Sequence, residues 1–301
     1  MDHEHSEHLL SRRLIAGIVL NTFFLILEFV AGIMVGSLAL VSDAGHNFSD
    51  SLALIFSLFA LYISSKPATT QKTFGYHRVG ILVALLNALV LIAISGAILF
   101  EAYIRLLHPV KTSGVWMLAV AGLGFVINGL VAYGFRTHQH DLNIKSAFLH
   151  LLTDALVSLG VVLGGVVIIF TGLSIIDPLI SIVISLVILY MAWDIVKESV
   201  DILLEAVPRK IDLDEVVESL KQIEGINGVH DVHIWTIGSN VFALSCHALI
   251  EDVSVTESSC LLREIEEVLK HRFNIIHPTI QFEYEECEHA EVCRIPQRNP
   301  K

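Results

Sequence analysis

Charged residues are scarce in this sequence, and basic residues are the scarcer kind. Only 17% of the 301 residues are charged, whereas a globular chain carries roughly 25%. With 54% hydrophobic residues, the chain must contain long stretches without charge, which predict membrane spans. The 19 basic residues are outnumbered by 31 acidic ones, so the basic face that a nucleic acid requires is missing. A purely soluble enzyme is therefore excluded, and nucleic acid is not expected as a partner.

Six mostly apolar runs of about 20 residues or more predict six transmembrane helices. The runs are 14–35, 37–64, 79–107, 114–135, 144–172 and 175–193. The first run is longer than the apolar part of a cleavable signal, roughly 7 to 15 residues, so we interpret it as a span. Charge becomes frequent only after Val207. We therefore expect four segments: an N-terminal tail (1–13), a membrane domain (14–207), a soluble domain (208–286) and a C-terminal tail (287–301).

Basic residues in the short flanks predict the orientation of the spans. They concentrate in alternate flanks, before the first span, between the second and third, between the fourth and fifth, and after the sixth. On the opposite side, the only basic residues are Arg105 and Lys111. Because loops rich in Lys and Arg stay on the cytoplasmic side, both termini are expected there, in a multi-pass protein of the plasma or inner membrane.

The soluble part has short elements in the order αββαβ. Helical spacing of apolar residues predicts helices over 212–224 and 256–273, and β-rich runs predict strands over 229–237, 241–250 and 279–284. These elements predict a small α+β domain of about 80 residues. All four cysteines follow Val207, in the part of the chain expected in the cytoplasm, where a reducing compartment disfavours disulfides. Metal ligation is one interpretation of these thiols, and burial as a small core residue is the other for Cys246.

The motif HxxxD occurs in the second run, as His46 and Asp50, and in the fifth run, as His150 and Asp154. Residues four apart lie on one helix face, so each span presents an imidazole and a carboxylate in one direction. At about 1.5 Å per residue the first pair lies roughly 13 to 20 Å into a hydrocarbon core of about 30 Å. The two motifs are therefore expected near the membrane midplane, where they can face each other.

An ionised aspartate at the centre of a span costs about 2.5 to 3.5 kcal/mol, so a cation is expected between the two carboxylates. Two carboxylates, two neutral imidazoles and one divalent cation form a neutral four-coordinate site that suits Zn²⁺. Mg²⁺ prefers six oxygens, whereas Cd²⁺, Co²⁺ and Fe²⁺ are compatible with these ligand types. The alternative is that these residues only join helices by hydrogen bonds, which the repetition of the motif on two antiparallel spans disfavours.

With six spans, the doubled HxxxD motif, the run SLALVSDAGH at 37–46 and the αββαβ domain, the chain resembles the cation diffusion facilitator family over nearly its whole length. It is most similar to the bacterial zinc and cadmium resistance branch. The resemblance implies a homodimeric antiporter that exports Zn²⁺ in exchange for protons, with a metallochaperone-like cytoplasmic domain that dimerises and binds zinc. It also implies that His46 favours zinc, because a His at this motif position accompanies zinc preference in the family.

The resemblance also carries ligands into the soluble domain. His230, His247 and Glu283 match family positions that bind zinc near the dimer interface. Cys260 takes a position where some members have His, and Gln281 replaces a family His, which puts a binuclear form of the site in question.

Three further expectations concern the loops and tails. Tyr76 replaces a ligand of the loop between spans two and three, so no metal site is expected there. Arg78 and Glu205 match family positions that form an ion pair at the membrane surface. The His-rich tract at 2–8 is interpreted either as a metal-capturing segment or as a solvated tail. The same two interpretations apply to the C-terminal tail that contains Cys287 and Cys293.

Two rival functions lack their sequence signals. An intramembrane zinc hydrolase would use a motif such as HExxH, which the sequence does not contain. A metal receptor would need an output domain, and no kinase or cyclase signature follows Val207. The prediction is therefore a transporter and not an enzyme, with protons competing for the same ligand atoms as the metal.

Overall fold

The computed structural model describes residues 22–135, 142–238 and 241–285. The N-terminal part consists of helices, beginning with α1 (Thr22–Val35). The helices that follow are α2 (Leu38–Ser64), α3 (Val79–Leu107), α4 (Gly114–Phe135), α5 (Leu142–Thr171) and α6 (Ile176–Leu203). Among the described residues, α2 to α6 each contain a segment long and apolar enough to cross a membrane, and α1 is a shorter apolar helix. The predicted start of the first span lies outside the described residues.

Large apolar side chains point outward from these helices. Met34, Phe170 and Tyr190 are each at least 80% exposed, an arrangement that water disfavours and that a lipid environment accepts.

The described chain divides into two compact units. One contains the described residues up to Phe56 together with Leu86–Asp194, and the other contains Ser57–Leu85 and the described residues from Ile195 onward. In the first unit the core is built from side chains of α2 to α6, including Leu40, Met117, Val161 and Ile184.

Close packing of α4 on α5 depends on two glycines. A Cβ atom on Gly114 would lie 2.7 Å from the carbonyl oxygen of Gly165, and one on Gly165 would lie 3.0 Å from that of Gly114. Any side chain at either position would force the helices apart, because real Cβ contacts are longer. The two glycines therefore set how closely α5, which carries Asp154, approaches α4.

The C-terminal elements follow the predicted αββαβ order. They are α7 (Leu213–Lys221), β1 (Ile226–Gly238), β2 (Val241–Ile250), α8 (Val255–Phe273) and β3 (Ile275–Glu283). The sheet order is β1-β2-β3, with β1 antiparallel and β3 parallel to the central β2. Ile234, Leu244, Ile265, Leu269 and Ile275 are among the side chains of its core. The fold class is therefore confirmed: apolar helices followed by a small α+β domain.

Two strands begin earlier than predicted. β1 begins at Ile226 and not at residue 229. Register irregularities between Ile226 and Gly228 and between His230 and His233 interrupt the alternation of residues from which the start was predicted. β3 begins at Ile275 and not at residue 279. The strand includes Pro278, which pairs in register with Leu244. A proline is tolerated there because β3 pairs on one side only in the described sheet.

Candidate metal centres

Three of the four predicted membrane ligands converge. His46 and Asp50 lie one turn apart on α2, and Asp154 lies on α5. The Nε2 atom of His46 is 3.6 Å from Oδ2 of Asp50 and 3.7 Å from Oδ1 of Asp154. One ligand atom from each residue lies within 4.8 Å of the others, a spacing that fits coordination of a single ion. The backbone of His150 belongs to α5, but its side chain lies outside the described residues.

This cluster is largely shielded from solvent. The exposed fraction is 11% for the His46 side chain, 26% for Asp50 and 6% for Asp154. Two ionised carboxylates beside one neutral imidazole carry two negative charges, which a low-dielectric site tolerates only with a compensating cation. A divalent metal ion would supply that compensation, and the donor set of imidazole nitrogen and carboxylate oxygen suits zinc and similar ions.

A mostly apolar cavity of about 490 Å³ lies beside the cluster. His46 and Thr153 contribute to its wall, together with α6 side chains such as Ile180, Ile184 and Ile188. Apolar walls keep the local dielectric constant low and strengthen the electrostatic attraction between the carboxylates and a bound cation.

Asp177, at the start of α6, holds the first turn of the helix that carries His46 and Asp50. Its carboxylate accepts hydrogen bonds from the Ser37 hydroxyl at 2.6 Å and from the backbone N–H groups of Leu38 at 2.7 Å and Ala39 at 3.2 Å. The first N–H groups of a helix have no partner within the helix, so this carboxylate acts as a cap supplied by another helix. The sequence signal for this role was an acidic residue at the start of an apolar span, and sequence reasoning missed it.

A second pair of buried carboxyl groups, Glu28 on α1 and Asp43 on α2, was also missed as a unit. Both residues are 0% exposed. The side-chain amide of Asn47 donates to Oε2 of Glu28 at 3.2 Å, and the Ser158 hydroxyl donates to Oδ2 of Asp43 at 3.0 Å. Sequence reasoning singled out neither residue as a ligand, because neither belongs to an HxxxD motif.

The predicted ligands of the C-terminal domain also come together, one from each strand. His230 on β1 pairs in register with His247 on β2, and Glu283 lies on β3. Oε2 of Glu283 is 3.2 Å from Nε2 of His230, and Oε1 is 2.9 Å from Nδ1 of His247. The amide of Gln281 donates to the same Oε1 at 2.8 Å, so the residue that replaces a family His orients Glu283.

Asp231 extends this second cluster. Its carboxylate lies 3.7 Å from Nε2 of His247 and 3.1 Å from Nε2 of His233. Neighbouring residues of a regular strand point to opposite faces, but the irregularity of β1 at this point, where Asp231 has φ of 51°, brings both His230 and Asp231 to His247. Alternation along the sequence could not predict this contact.

The cysteines of the described part have different environments. Cys246 is 2% exposed and belongs to the domain core. Burial, with a smaller contribution from the charge of Asp231, raises the pKa of its thiol to about 12, which favours the neutral form of a core residue. Cys260 is exposed. Cys287, Cys293 and the His-rich tract at 2–8 lie outside the described residues.

The expected ion pair between Arg78 and Glu205 is present. The guanidinium of Arg78 donates to Oε1 of Glu205 at 3.0 Å and to the backbone carbonyl oxygen of Thr236, on β1, at 3.5 Å. Arg78, the residue before α3, therefore contacts both the chain after α6 and the C-terminal sheet.

Curated relatives match nearly the full length of the chain. The cadmium, cobalt and zinc/H⁺-K⁺ antiporter of Bacillus subtilis is 40% identical over 96% of this chain and 94% of its own. The metal cation efflux system protein CzcD of Cupriavidus metallidurans is 39% identical, covering 94% of this chain and 90% of its own. The zinc transporter ZitB of Escherichia coli is 35% identical, covering 95% and 91% respectively.

Family models match both parts of the chain. The cation efflux transmembrane domain matches residues 14–204, and the cytoplasmic domain of cation efflux proteins matches residues 208–285. A solved structure of the metal-bound C-terminal domain of the CzcD transporter is 34% identical and covers 24% of this chain and 99% of its own, with a TM-score of 0.23. The chain belongs to the cation efflux family of multi-pass membrane transporters, and it is not an enzyme.

Proposed function

We propose that this protein exports Zn²⁺ from the cytoplasm in exchange for protons, through a site formed by His46, Asp50, His150 and Asp154. The observation that carries the proposal is the convergence of His46, Asp50 and Asp154 from two apolar helices into one cluster that is largely shielded from solvent. The names of the relatives, an H⁺-K⁺ antiporter for cadmium, cobalt and zinc and a zinc transporter, support the substrate class and the proton coupling.

Coupling follows from the chemistry of the ligands. Imidazole and carboxylate bind a metal ion only when deprotonated, so protons and metal compete for the same atoms. Rocking of the helices would expose the site to each side of the membrane in turn. On the near-neutral cytoplasmic side the site loads metal, and on a more acidic outer side protons displace it. An inward proton gradient then drives metal export.

The donor set determines the proposed metal range. Two imidazoles and two carboxylates favour tetrahedral Zn²⁺, and Cd²⁺, Co²⁺ and Fe²⁺ are chemically close enough to compete. Mg²⁺ and Ca²⁺ prefer more oxygen ligands and should be rejected.

For the C-terminal domain, residues 208–286, we propose zinc binding at His230, His247 and Glu283 and dimerisation within a homodimer. The convergence of these three side chains from neighbouring strands supports the site. We also propose that both termini lie in the cytoplasm, because basic residues concentrate in alternate flanks of the spans in the membrane domain, residues 14–207.

Metal flux in sealed vesicles tests this function. Purified protein is reconstituted with a zinc indicator inside, and an imposed pH gradient should accelerate zinc movement in the opposite direction to the protons. Collapse of the gradient with a protonophore should remove the acceleration. Zinc flux that is independent of the gradient in both directions would contradict proton coupling, and the absence of any metal flux would contradict the transport site.

A further inference from the structure

The carboxyl groups of Glu28 and Asp43 form a buried acidic pair one helical turn away from the metal ligands. Asp43 precedes His46 by one turn of α2, and Ser158, which donates to Asp43, follows Asp154 by one turn of α5. Both members of the pair are fully buried, and the two carboxyl groups are within hydrogen-bonding contact of each other. The pair therefore forms a second polar layer next to the candidate metal site.

The donors around this pair are too few for two ionised carboxylates. Of the four carboxylate oxygens, Oε2 of Glu28 accepts from Asn47 and Oδ2 of Asp43 accepts from Ser158. The remaining two, Oε1 of Glu28 and Oδ1 of Asp43, are buried and receive no hydrogen bond from the described part of the chain. An ionised carboxylate can only accept hydrogen bonds, so neither residue satisfies the other unless one of them carries a proton.

Asp177 shows how the same fold supplies a buried carboxyl group with hydrogen-bond donors. It is also 0% exposed, but its two oxygens receive hydrogen bonds from Ser37, Leu38 and Ala39, and the guanidinium of Arg105 lies 3.8 Å away. Among the residues that the structure describes, no comparable supply of positive charge reaches Glu28 and Asp43. α4, which contacts α1 at Phe24, has no charged residue among those described. The titratable groups that act on the pair are His46 on α2 and Asp154 on α5.

We propose that Glu28 and Asp43 hold one proton between them and release it when a divalent metal ion binds at the neighbouring ligands. This inference rests on the proposed function and adds a second proton-binding site to it. With its shared proton the pair carries one negative charge. The charge of an arriving metal ion repels the proton, which leaves as H⁺ and raises the negative charge of the pair to two. Binding of metal thus expels a proton that never occupied a ligand atom.

The test is the pH dependence of metal affinity in the full-length chain. The variants Glu28→Gln and Asp43→Asn are made in a background with His230→Ala and His247→Ala, so that the C-terminal cluster does not contribute. Each variant replaces one carboxyl by an amide that donates to its partner, which keeps one negative charge but removes the exchangeable proton. Zn²⁺ binding is measured by competition with a fluorescent chelator at several pH values around neutrality.

Each proton released on binding changes the affinity by about tenfold per pH unit. We expect both variants to bind Zn²⁺ with a pH dependence weaker than the parent by about one proton. In infrared difference spectra, metal binding should remove a protonated-carboxyl band in the parent and not in Glu28→Gln. The matched control is Asp177→Asn, which alters a buried carboxylate already supplied with donors and should leave the pH dependence unchanged.

Three results would overturn the inference. One is an unchanged pH dependence in both variants, and another is an equal loss of pH dependence in Asp177→Asn. The third is a Zn²⁺ affinity of the parent that varies with Na⁺ or K⁺ and loses this variation in Glu28→Gln, with the pH dependence intact, since the pair would then hold a monovalent metal ion. Any of these can occur while the parent protein still moves zinc in vesicles, so failure of this inference is separate from failure of the proposed function.

Discussion

At the scale of single residues, the candidate membrane site depends on carboxylates in a place that tolerates little net charge. Asp154, on α5, is 6% exposed and lies 3.7 Å from His46, on α2. If the site binds a metal ion, each carboxylate contributes both a ligand atom and the charge that balances the ion.

The variant Asp154→Asn keeps the shape of the side chain and removes its charge. An unbalanced charge in a buried ion pair costs roughly 3 to 5 kcal/mol, so we expect Zn²⁺ affinity to fall by about a hundredfold or more and transport to be lost. Vesicle flux and equilibrium binding measure both. The control is Glu101→Gln, which removes a half-exposed carboxylate from α3 that pairs with Arg105 and should transport zinc normally. Flux at the parent level in Asp154→Asn would remove this residue from the site.

Cys246 gives a prediction about pH. Because the thiolate is the reactive form and the pKa of the buried thiol is raised from 9.0 to about 12, the folded domain should protect it from alkylation. A variant with Cys246 as its only cysteine should react with iodoacetamide near neutral pH after unfolding in urea, and far more slowly when native. Rapid native labelling would contradict its burial.

The same shift determines how stability changes with pH. A pKa that is higher in the folded state than in the unfolded state means that the unfolded chain loses its proton first. The contribution of Cys246 is therefore fully present below pH 9.0 and is lost as pH rises from there toward about 12. The alkaline loss of stability should be smaller in Cys246→Ala, as measured by urea unfolding.

At the scale of elements, the residues around Arg78 connect α3, the end of α6 and the C-terminal sheet within one compact unit. Arg78 and Glu205 are 36% and 62% exposed, so the pair contributes at most about 1 kcal/mol to stability. Its proposed role is to keep the sheet and the helix ends in one arrangement. This role depends on which two side chains pair more than on the free energy that the pair contributes.

Reversal of the charge at Arg78 tests that role. Arg78→Glu places two carboxylates in contact, and transport should fall about fivefold, the factor that corresponds to about 1 kcal/mol. The double variant Arg78→Glu with Glu205→Arg should recover part of the activity, whereas Lys66→Glu, in the same segment, should have little effect. A double variant no better than the sum of the singles would show that the two side chains do not interact.

At the scale of the whole molecule, the C-terminal domain has a core of its own and a metal-type cluster on its sheet. Its helices begin with local caps, Asp212 for α7 and a Ser254–Glu257 capping box for α8. These features favour independent folding of residues 208–285.

Expressed alone, this domain should be soluble and should dimerise more strongly with Zn²⁺. Zinc at a hundredfold excess over its Kd should stabilise the fold by about 2.7 kcal/mol, and a chelator should reverse the effect. His247→Ala should abolish the response, whereas His271→Ala, an exposed histidine at the end of α8, should retain it. Calorimetry and sedimentation measure binding and assembly, and equal zinc binding in His247→Ala would remove that residue from the site.

Much of this architecture could be predicted from sequence, because its signals are local. Apolar runs of membrane length, the position of charged residues after Val207 and the αββαβ pattern each follow from the period or length of a segment. The HxxxD spacing likewise places His46 beside Asp50 without any knowledge of the fold, since residues four apart share a helix face. The resemblance to a known family added the ligands on the three strands.

Other features depend on contacts between segments far apart in the chain, and only the tertiary structure decided them. Asp177 caps a helix that begins more than a hundred positions earlier, and Glu28 meets Asp43 only because α1 packs against α2. Asp231 reaches His247 through an irregularity of β1 that the alternation of residues does not encode. Local sequence determines which face a side chain occupies, whereas its hydrogen-bond partners, and therefore its charge state, depend on which elements pack against that face.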